Sequence, residues 1–203
     1  MDIQPVIEWA SASSPLPGEL QSGDEYAVIT TPDGALVGAV DGLGHGDEAA
    51  AAAQRAVATL LSAPAESLMH LVRRCHVALV GTRGVVATLA QFSMRDDTVT
   101  WLAVGNVHGV LLRADPSARL GRETVIPRAG VVGYNLPPLI AAVHSIAAGD
   151  TLVLATDGIR PDFVEDQRAL SGEPQAVADR ILARYGLATD DALVVVARYL
   201  GHG

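Results

Sequence analysis

The sequence predicts an α+β fold in which antiparallel sheets carry helices on their outer faces. Many short segments are rich in Val, Ile and Thr and end at Gly, Asn or Asp, and three longer segments carry apolar residues at helical spacing. The two kinds of segment do not alternate regularly, which argues against a parallel sheet. A chain of 203 residues has the length of one domain, and we assign residues 1–203 to a single domain.

The first predicted elements form a hairpin. Residues 25–31 and 35–40 are apolar strands, and the turn from Thr31 to Gly34 contains Pro and Gly, which supply a fixed φ and a left-handed position. The stretch before them, residues 11–22, contains two prolines and several small residues, and it predicts a loop within the domain.

Helical spacing predicts three helices. Ala49, Ala52, Ala56 and Leu60 share one stripe of a helix over residues 47–61. Residues 62–64 open a second helix, whose apolar stripe covers residues 68–79, and residues 171–174 open a third. Further strands are predicted at residues 85–92, 97–104, 107–113, 140–146, 151–156 and 192–198.

Charge and composition exclude several classes of protein. The formal net charge of −9 would repel a nucleic acid backbone, so we expect no nucleic acid partner. No apolar run is long enough to span a membrane. The single cysteine, Cys75, cannot form an internal disulfide, and the start of the chain is acidic where a signal peptide is basic. We therefore expect a cytoplasmic protein that is a monomer or a weak dimer.

Four aspartates stand at the ends of apolar strands: Asp24, Asp41, Asp157 and Asp190. In the predicted hairpin, Asp24 lies opposite or diagonal to Asp41, and opposed Cβ atoms of an antiparallel pair are only about 5 Å apart. Two carboxylates at that distance repel, so a shared proton, a basic side chain or a cation must compensate. Asp157 and Asp190 meet in the same way if their strands are neighbours.

A cation site and ordinary turn chemistry both account for these aspartates. If all four gather at one sheet edge, they form an all-oxygen site suited to Mg²⁺ or Mn²⁺, and the carbonyl of Gly42 is open to a metal. Taken singly, each aspartate is better explained as part of a strand-ending turn or a cap. The occurrence of four such positions together favours the cation site.

The sequence around these aspartates resembles the PPM family of metal-dependent protein phosphatases, in its short bacterial branch of stress-response and sporulation enzymes. The motifs are SGD at 22–24, VDGLGHG at 40–46, LATDGI at 154–159 and DDALVVVAR at 190–198. The resemblance covers nearly the whole chain. It implies a four-layer α-β-β-α sandwich of two antiparallel sheets flanked by helices.

The same resemblance implies two divalent cations, Mn²⁺ or Mg²⁺, that activate water for in-line attack on a phosphoryl group. By motif, Asp41 bridges both ions, Gly42 gives its carbonyl, Asp24 binds the second ion, and Asp157 and Asp190 bind the first. Asp41 is therefore also a catalytic residue. The implied substrate is phosphoserine or phosphothreonine on a regulatory protein, such as a component of a stressosome or partner-switching system.

Two departures from the family pattern bear on function. The arginine that holds the substrate phosphate in many eukaryotic members is absent from residues 14–23, and the histidine that follows the DG pair is displaced to His45. We keep His45 as a candidate general acid, although it also fits a polar residue that starts a helix. Arg83 and Arg160 are candidates for substrate contact or simple solvated side chains. A non-catalytic module that binds a phosphorylated partner is the alternative function.

Overall fold

The computed structural model describes residues 5–115, 117 and 121–202. Residues 1–4, which carry part of the argument against a signal peptide, lie outside the described part of the chain. Three α-helices are described: α1 (Asp47–Leu61), α2 (Leu68–Ala78) and α3 (Pro174–Tyr185). A short 3₁₀ helix covers Pro161–Glu165.

The described strands form two five-stranded sheets, and every strand pair in them is antiparallel. In the first sheet the order is β1 (Ile7–Ser14), β10 (Ala192–Tyr199), β9 (Thr151–Ala155), β6 (His108–Leu112) and β7 (Arg122–Thr124). In the second it is β2 (Asp24–Thr31), β3 (Gly34–Gly42), β4 (Val85–Ser93), β5 (Thr98–Val104) and β8 (Ala142–Ser145).

The core lies in three layers between and outside the sheets. Between the sheets, apolar side chains of both meet around Trp101, Leu154 and Tyr199. Helices α1 and α2 pack on the outer face of the second sheet, and α3 packs on the outer face of the first. The predicted α-β-β-α sandwich is therefore confirmed. The hydrophobic face of each helix, read from its 3.6-residue period, is the face that covers a sheet.

The start of the chain departs from the prediction of a loop over residues 11–22. Ser11–Ser14 extend β1, where they pair with Ala192–Val195 of β10. Small polar residues have weak intrinsic strand preference, so this strand is decided by its partner strand and not by its own pattern. Helix α2 also begins later than predicted, at Leu68, because residues 63–66 form turns.

Candidate metal centre

The four aspartates meet at one end of the sandwich. Asp24 opens β2 and lies directly opposite Asp41 of β3, as the length of the turn predicts. Strand β9 runs antiparallel to β10 with Ala155 opposite Val194. The aspartate just beyond the end of β9, Asp157, is therefore beside the pair that precedes β10, Asp190 and Asp191. Each sheet contributes two of the four predicted carboxylates.

A threonine connects the two sheets at this point. The hydroxyl of Thr156 donates a hydrogen bond of 2.7 Å to Oδ2 of Asp24. The same hydroxyl oxygen accepts a hydrogen bond of 2.9 Å from the backbone N–H of Leu193. Because Thr156 is completely buried, its position is fixed by packing. The contact therefore holds the carboxylate of the second sheet over the carboxylates of the first.

Burial and mutual repulsion make these carboxylates difficult to ionise. Burial raises the pKa of Asp24 to about 7, despite the Thr156 hydrogen bond, and the charges of three neighbouring aspartates add to the rise. Burial likewise raises the pKa of Asp41 to about 8, and the charge of Asp24 contributes more to this rise than that of any other aspartate. Burial also raises the pKa of Asp190, to which Asp157 contributes. The cluster carries more negative charge than its surroundings stabilise.

Within the described residues, no ion pair with a basic side chain compensates the negative charge of the aspartate cluster. Among the described residues, none of the aspartates of the cluster forms an ion pair with Arg or His. A proton or a cation is left to neutralise the cluster, and its donors are all oxygen atoms, which are the ligands that Mg²⁺ and Mn²⁺ prefer. The residues present therefore fit hard divalent cations.

The carboxylates line a cleft and do not form a closed cage. In the described part of the chain, no three His, Cys, Asp or Glu side chains are grouped closely enough to enclose an ion. The cleft has a volume of about 330 Å³, and Asp41, His45, Asn106, Asp157 and Asp190 are among the residues that line it. Such an open arrangement suits cations that retain several water ligands.

The glycines that follow Asp41 and Asp157 have a packing role. A Cβ atom at Gly42 would collide with the carbonyl oxygen of Ala49 in α1, and one at Gly158 would collide with the carbonyl oxygen of Asp191. These close approaches bring helix α1 and the start of β10 against the aspartate loops. The predicted use of the Gly42 carbonyl as a metal ligand remains a prediction alongside this packing role.

His45 lies at the mouth of the cleft and pairs with an acid from the loop between β1 and β2. Its Nδ1 lies 2.8 Å from Oε1 of Glu19, and the His45 side chain is 63% exposed. The positive charge of a protonated His45 opposes the rise in the pKa of Asp190. Its position is consistent with a proton donor near the reacting phosphate, a role that remains a prediction.

Asp191 anchors the loop between β1 and β2, and its role differs from that of the neighbouring Asp190. Its Oδ1 accepts a hydrogen bond of 2.8 Å from the N–H of Leu16, and its Oδ2 accepts one of 2.9 Å from the N–H of Gly23. Both oxygens are thus used to hold the two ends of the loop that leads to Asp24. Asp190 faces the cleft, so the two adjacent aspartates have different tasks.

Asn106, which the sequence analysis does not single out, orients a metal-site carboxylate. Its Nδ2 donates a hydrogen bond of 2.7 Å to Oδ2 of Asp157. Asn106 stands in a Gly-Asn turn between β5 and β6, and a turn is all that its sequence context indicates. Only the packing of the two sheets places this turn beside the end of β9.

The two candidate arginines differ in their surroundings. Arg160 packs over the ring of Tyr185 and donates to the carbonyl of Arg184, so it serves local structure. Arg83 donates from Nε to Glu48 at 2.6 Å, and its Nη1 lies against Gly44 in the loop that follows Asp41. Of the two arginines, Arg83 is therefore the one that lies beside a residue lining the cleft.

The fold and the carboxylate cluster together define a phosphatase domain of the PP2C type. The family model described as Stage II sporulation protein E (SpoIIE) matches residues 31–200. The chain therefore belongs to the SpoIIE/PP2C family of protein phosphatases. Curated proteins give no match.

Solved structures agree with this assignment. One chain from work on the bacterial stressosome, as a modular system adapted to control secondary messenger signalling, is 31% identical, with a TM-score of 0.84 over 95% of this chain and 99% of that one. RsbX in complex with magnesium is 18% identical, with a TM-score of 0.83 and 95% of both chains covered. A structure with the PP2C phosphatase domain of SpoIIE from Bacillus subtilis is 20% identical, with a TM-score of 0.80 over 97% of this chain and 62% of that one.

The described residues contain no helix long and apolar enough to cross a membrane.

Proposed function

We propose that this chain is a metal-dependent phosphatase that hydrolyses phosphoserine or phosphothreonine on a regulatory protein of bacterial stress signalling. The observation that carries the proposal is the group of mutually repelling carboxylates at the cleft, which forms no ion pair with a basic side chain among the described residues. Burial, together with the charges of the neighbouring aspartates, raises the pKa of Asp41 to about 8. In a protein of the SpoIIE family, a cluster with this charge and these donors is best explained as the ligand set of catalytic cations.

In this proposal Asp24, Asp41, the Gly42 carbonyl, Asp157 and Asp190 hold two divalent ions, Mn²⁺ or Mg²⁺. When bound, such ions acidify a water molecule and neutralise phosphoryl oxygens. The chain itself orients the ligands. Thr156 holds one oxygen of Asp24, and Asn106 holds one oxygen of Asp157, which leaves the second oxygen of each carboxylate for an ion.

His45 supplies the proton for the leaving serine or threonine oxygen in this mechanism. In the imidazolium form both ring nitrogens carry a proton, so Glu19 accepts from Nδ1 while Nε2 gives its proton to the leaving oxygen. The cleft is open, and an open cleft can admit a phosphorylated residue that projects from a folded protein. Water is the attacking group in this mechanism, so no nucleophilic cysteine is needed. The only cysteine in the sequence, Cys75, is buried away from the cleft.

The proposed substrate is a stressosome or partner-switching component. The support is the family and the 31% identity to a chain from work on the bacterial stressosome. The proposal takes residues 1–203 as one cytoplasmic phosphatase domain, active as a monomer or a weak dimer, with no nucleic acid or membrane partner.

Phosphate release from a phosphoserine peptide, measured with and without Mn²⁺, tests the proposal. We expect turnover that requires the ion and falls at least about a hundredfold in Asp41→Ala. Asp33→Ala is the matched control, because Asp33 lies in the same hairpin at its other end, where its carboxylate is 79% exposed. That variant should retain wild-type activity.

Other results would point elsewhere. Turnover that persists in Asp41→Ala would contradict the two-ion mechanism. Absence of turnover with any ion, combined with tight binding of the phosphopeptide, would favour a non-catalytic phosphoprotein-binding module.

A further inference from the structure

A groove runs between the outer faces of α1 and α2, on the side of the molecule away from the sheets. Its volume is about 720 Å³. Its wall contains Arg55 from α1 together with His70, Arg73 and Arg74 from α2, and Val77 forms part of its apolar lining. Val77 is 74% exposed, so its apolar side chain is open to a partner.

The groove is positively charged, although the chain as a whole has a net charge of −9. Arg74 is paired with Glu66 at 2.8 Å. Among the described residues, Arg55 and Arg73 have no hydrogen-bond or ion-pair partner for their guanidinium groups. Two free guanidinium groups can each take a carboxylate in a bidentate contact.

A second depression adjoins this groove on the side towards the catalytic cleft. It has a volume of about 440 Å³, it shares Arg55 with the groove, and its other end is formed by Gly81, Thr82 and Arg83. Arg83 lies against Gly44, which lines the cleft. Arg73, Arg55 and Arg83 therefore mark a path from the groove towards the loop after Asp41. Glu48 also lines this path, and it is paired with Arg83 at 2.6 Å.

We propose that this path, which we call the arginine track, binds an acidic segment of the phosphoprotein substrate beside its phosphorylated residue. The proposal rests on the proposed phosphatase function and names the chemistry of its substrate. Charge complementarity supports an acidic occupant, and the direction of the path towards the cleft supports the substrate itself as that occupant. Exposed Val77 offers a contact for an apolar side chain in the same segment.

The geometry predicts where the acidic residues lie. Arg55 is about 12 Å along α1 from Asp47, where the helix begins beside the cleft. An extended peptide covers about 12 Å in roughly four residues. Carboxylates about four or more residues from the phosphoserine should therefore contact Arg55 and then Arg73. Arg83 is already paired with Glu48, so carboxylates closer to the phosphoserine should add less to binding.

Two phosphopeptides of equal length test the proposal, one with Asp and Glu at these positions and one with Asn and Gln. Binding is measured by fluorescence anisotropy at low salt, in the Asp41→Ala background so that neither peptide is consumed. We expect the acidic peptide to bind about tenfold more tightly, and we expect this preference to disappear in the double variant Arg55→Glu/Arg73→Glu and to weaken with salt.

Arg168→Glu is the matched control. Arg168 is exposed, and it precedes α3 on the opposite face of the sandwich. The control should keep the preference. Equal binding of the two peptides, or a preference that survives in the double variant, would overturn the proposal. Tighter binding of an oligonucleotide or of anionic vesicles than of the acidic peptide would also overturn it.

Failure of the phosphatase function is recognised separately. Turnover of p-nitrophenyl phosphate by the wild-type protein with Mn²⁺ reports on the metal centre without any flanking segment. Because anisotropy measures binding and not hydrolysis, a wild-type protein that lacks this turnover still gives a result for the arginine track. A preference for the acidic peptide together with absent turnover would support the track and contradict catalysis.

Discussion

Two buried aspartates, Asp150 and Asp24, lie near opposite ends of β9 and have very different surroundings. Asp150 precedes β9 and is 3% exposed, while Asp24, beyond the other end of β9, is 6% exposed. Asp150 accepts hydrogen bonds from Arg113 at 2.9 Å and from the N–H of Ala114 at 2.8 Å. Asp24 accepts one from the hydroxyl of Thr156 and faces other aspartates.

This difference shows how a carboxylate of a binding site can be distinguished from one that stabilises the fold. Where the carboxylate serves the fold, the protein supplies its own cation, and Arg113 also pairs with Glu123. Where the protein supplies none, the charge is uncompensated and is available to an external cation. Burial alone does not separate the two cases, whereas the presence or absence of a basic partner does.

The largest expected effect on the free energy of unfolding is at the end of β9 where Arg113 compensates Asp150. Arg113→Leu leaves Asp150 buried without its cation, so we expect the free energy of unfolding to fall by about 3–5 kcal/mol. Denaturant unfolding measures the loss, with the exposed Arg168→Leu as a control that should change it by less than about 0.5 kcal/mol. A loss of less than about 1 kcal/mol would contradict the view that Arg113 compensates the buried charge of Asp150.

A smaller change in stability is expected when divalent cations are added, because they would bind the aspartate cluster around Asp24 and Asp41. At a concentration one hundred times its Kd, Mn²⁺ or Mg²⁺ should raise the free energy of unfolding by about 2.7 kcal/mol. Thermal unfolding in MnCl₂ and in NaCl of equal ionic strength measures the difference. In Asp41→Asn most of this stabilisation should vanish. An undiminished effect in that variant would place the ions elsewhere on the protein.

The smallest effect concerns pH in the absence of divalent ions. The pKa values of Asp24 and Asp41 rise from 3.8 to about 7 and about 8 on folding, so the folded state retains protons that the unfolded chain releases. Their contribution to stability is therefore full below about pH 4 and is lost as the pH rises through 7 and 8.

Asp41→Asn removes part of this pH dependence. At pH 8 in EDTA, the variant should be more stable than the wild type by roughly 1–2 kcal/mol, and the difference should disappear near pH 4. Urea unfolding at several pH values checks this result. A variant less stable than the wild type at pH 8 would show that the Asp41 carboxylate is compensated within the fold.

Some features of the site follow from short-range rules. The length of the turn at Thr31–Gly34 determines the register of the hairpin, and the register places Asp24 opposite Asp41. The apolar stripe of α1 predicts its bounds, since alanines repeat at three and four residues. These features depend on contacts between residues close in sequence, and the sequence therefore predicts them well.

Other features depend on partners that are distant in the chain. The strand at Ser11–Ser14 exists because β10 pairs with it. Asp191 holds Leu16 and Gly23 through hydrogen bonds that span most of the sequence. No local pattern distinguishes Asp191 from Asp190, and their different tasks appear only when the loop before β2 is in place.

The sequence by itself determined which carboxylates stand at strand ends and which two are paired in the hairpin, because strand register and turn geometry are local. Only the tertiary structure decided that the pairs from two sheets share one cleft, since Thr156 joins the sheets there. Burial within that assembly raises the pKa of Asp24 and Asp41. Desolvation is a property of the packed molecule, and no run of residues carries it alone.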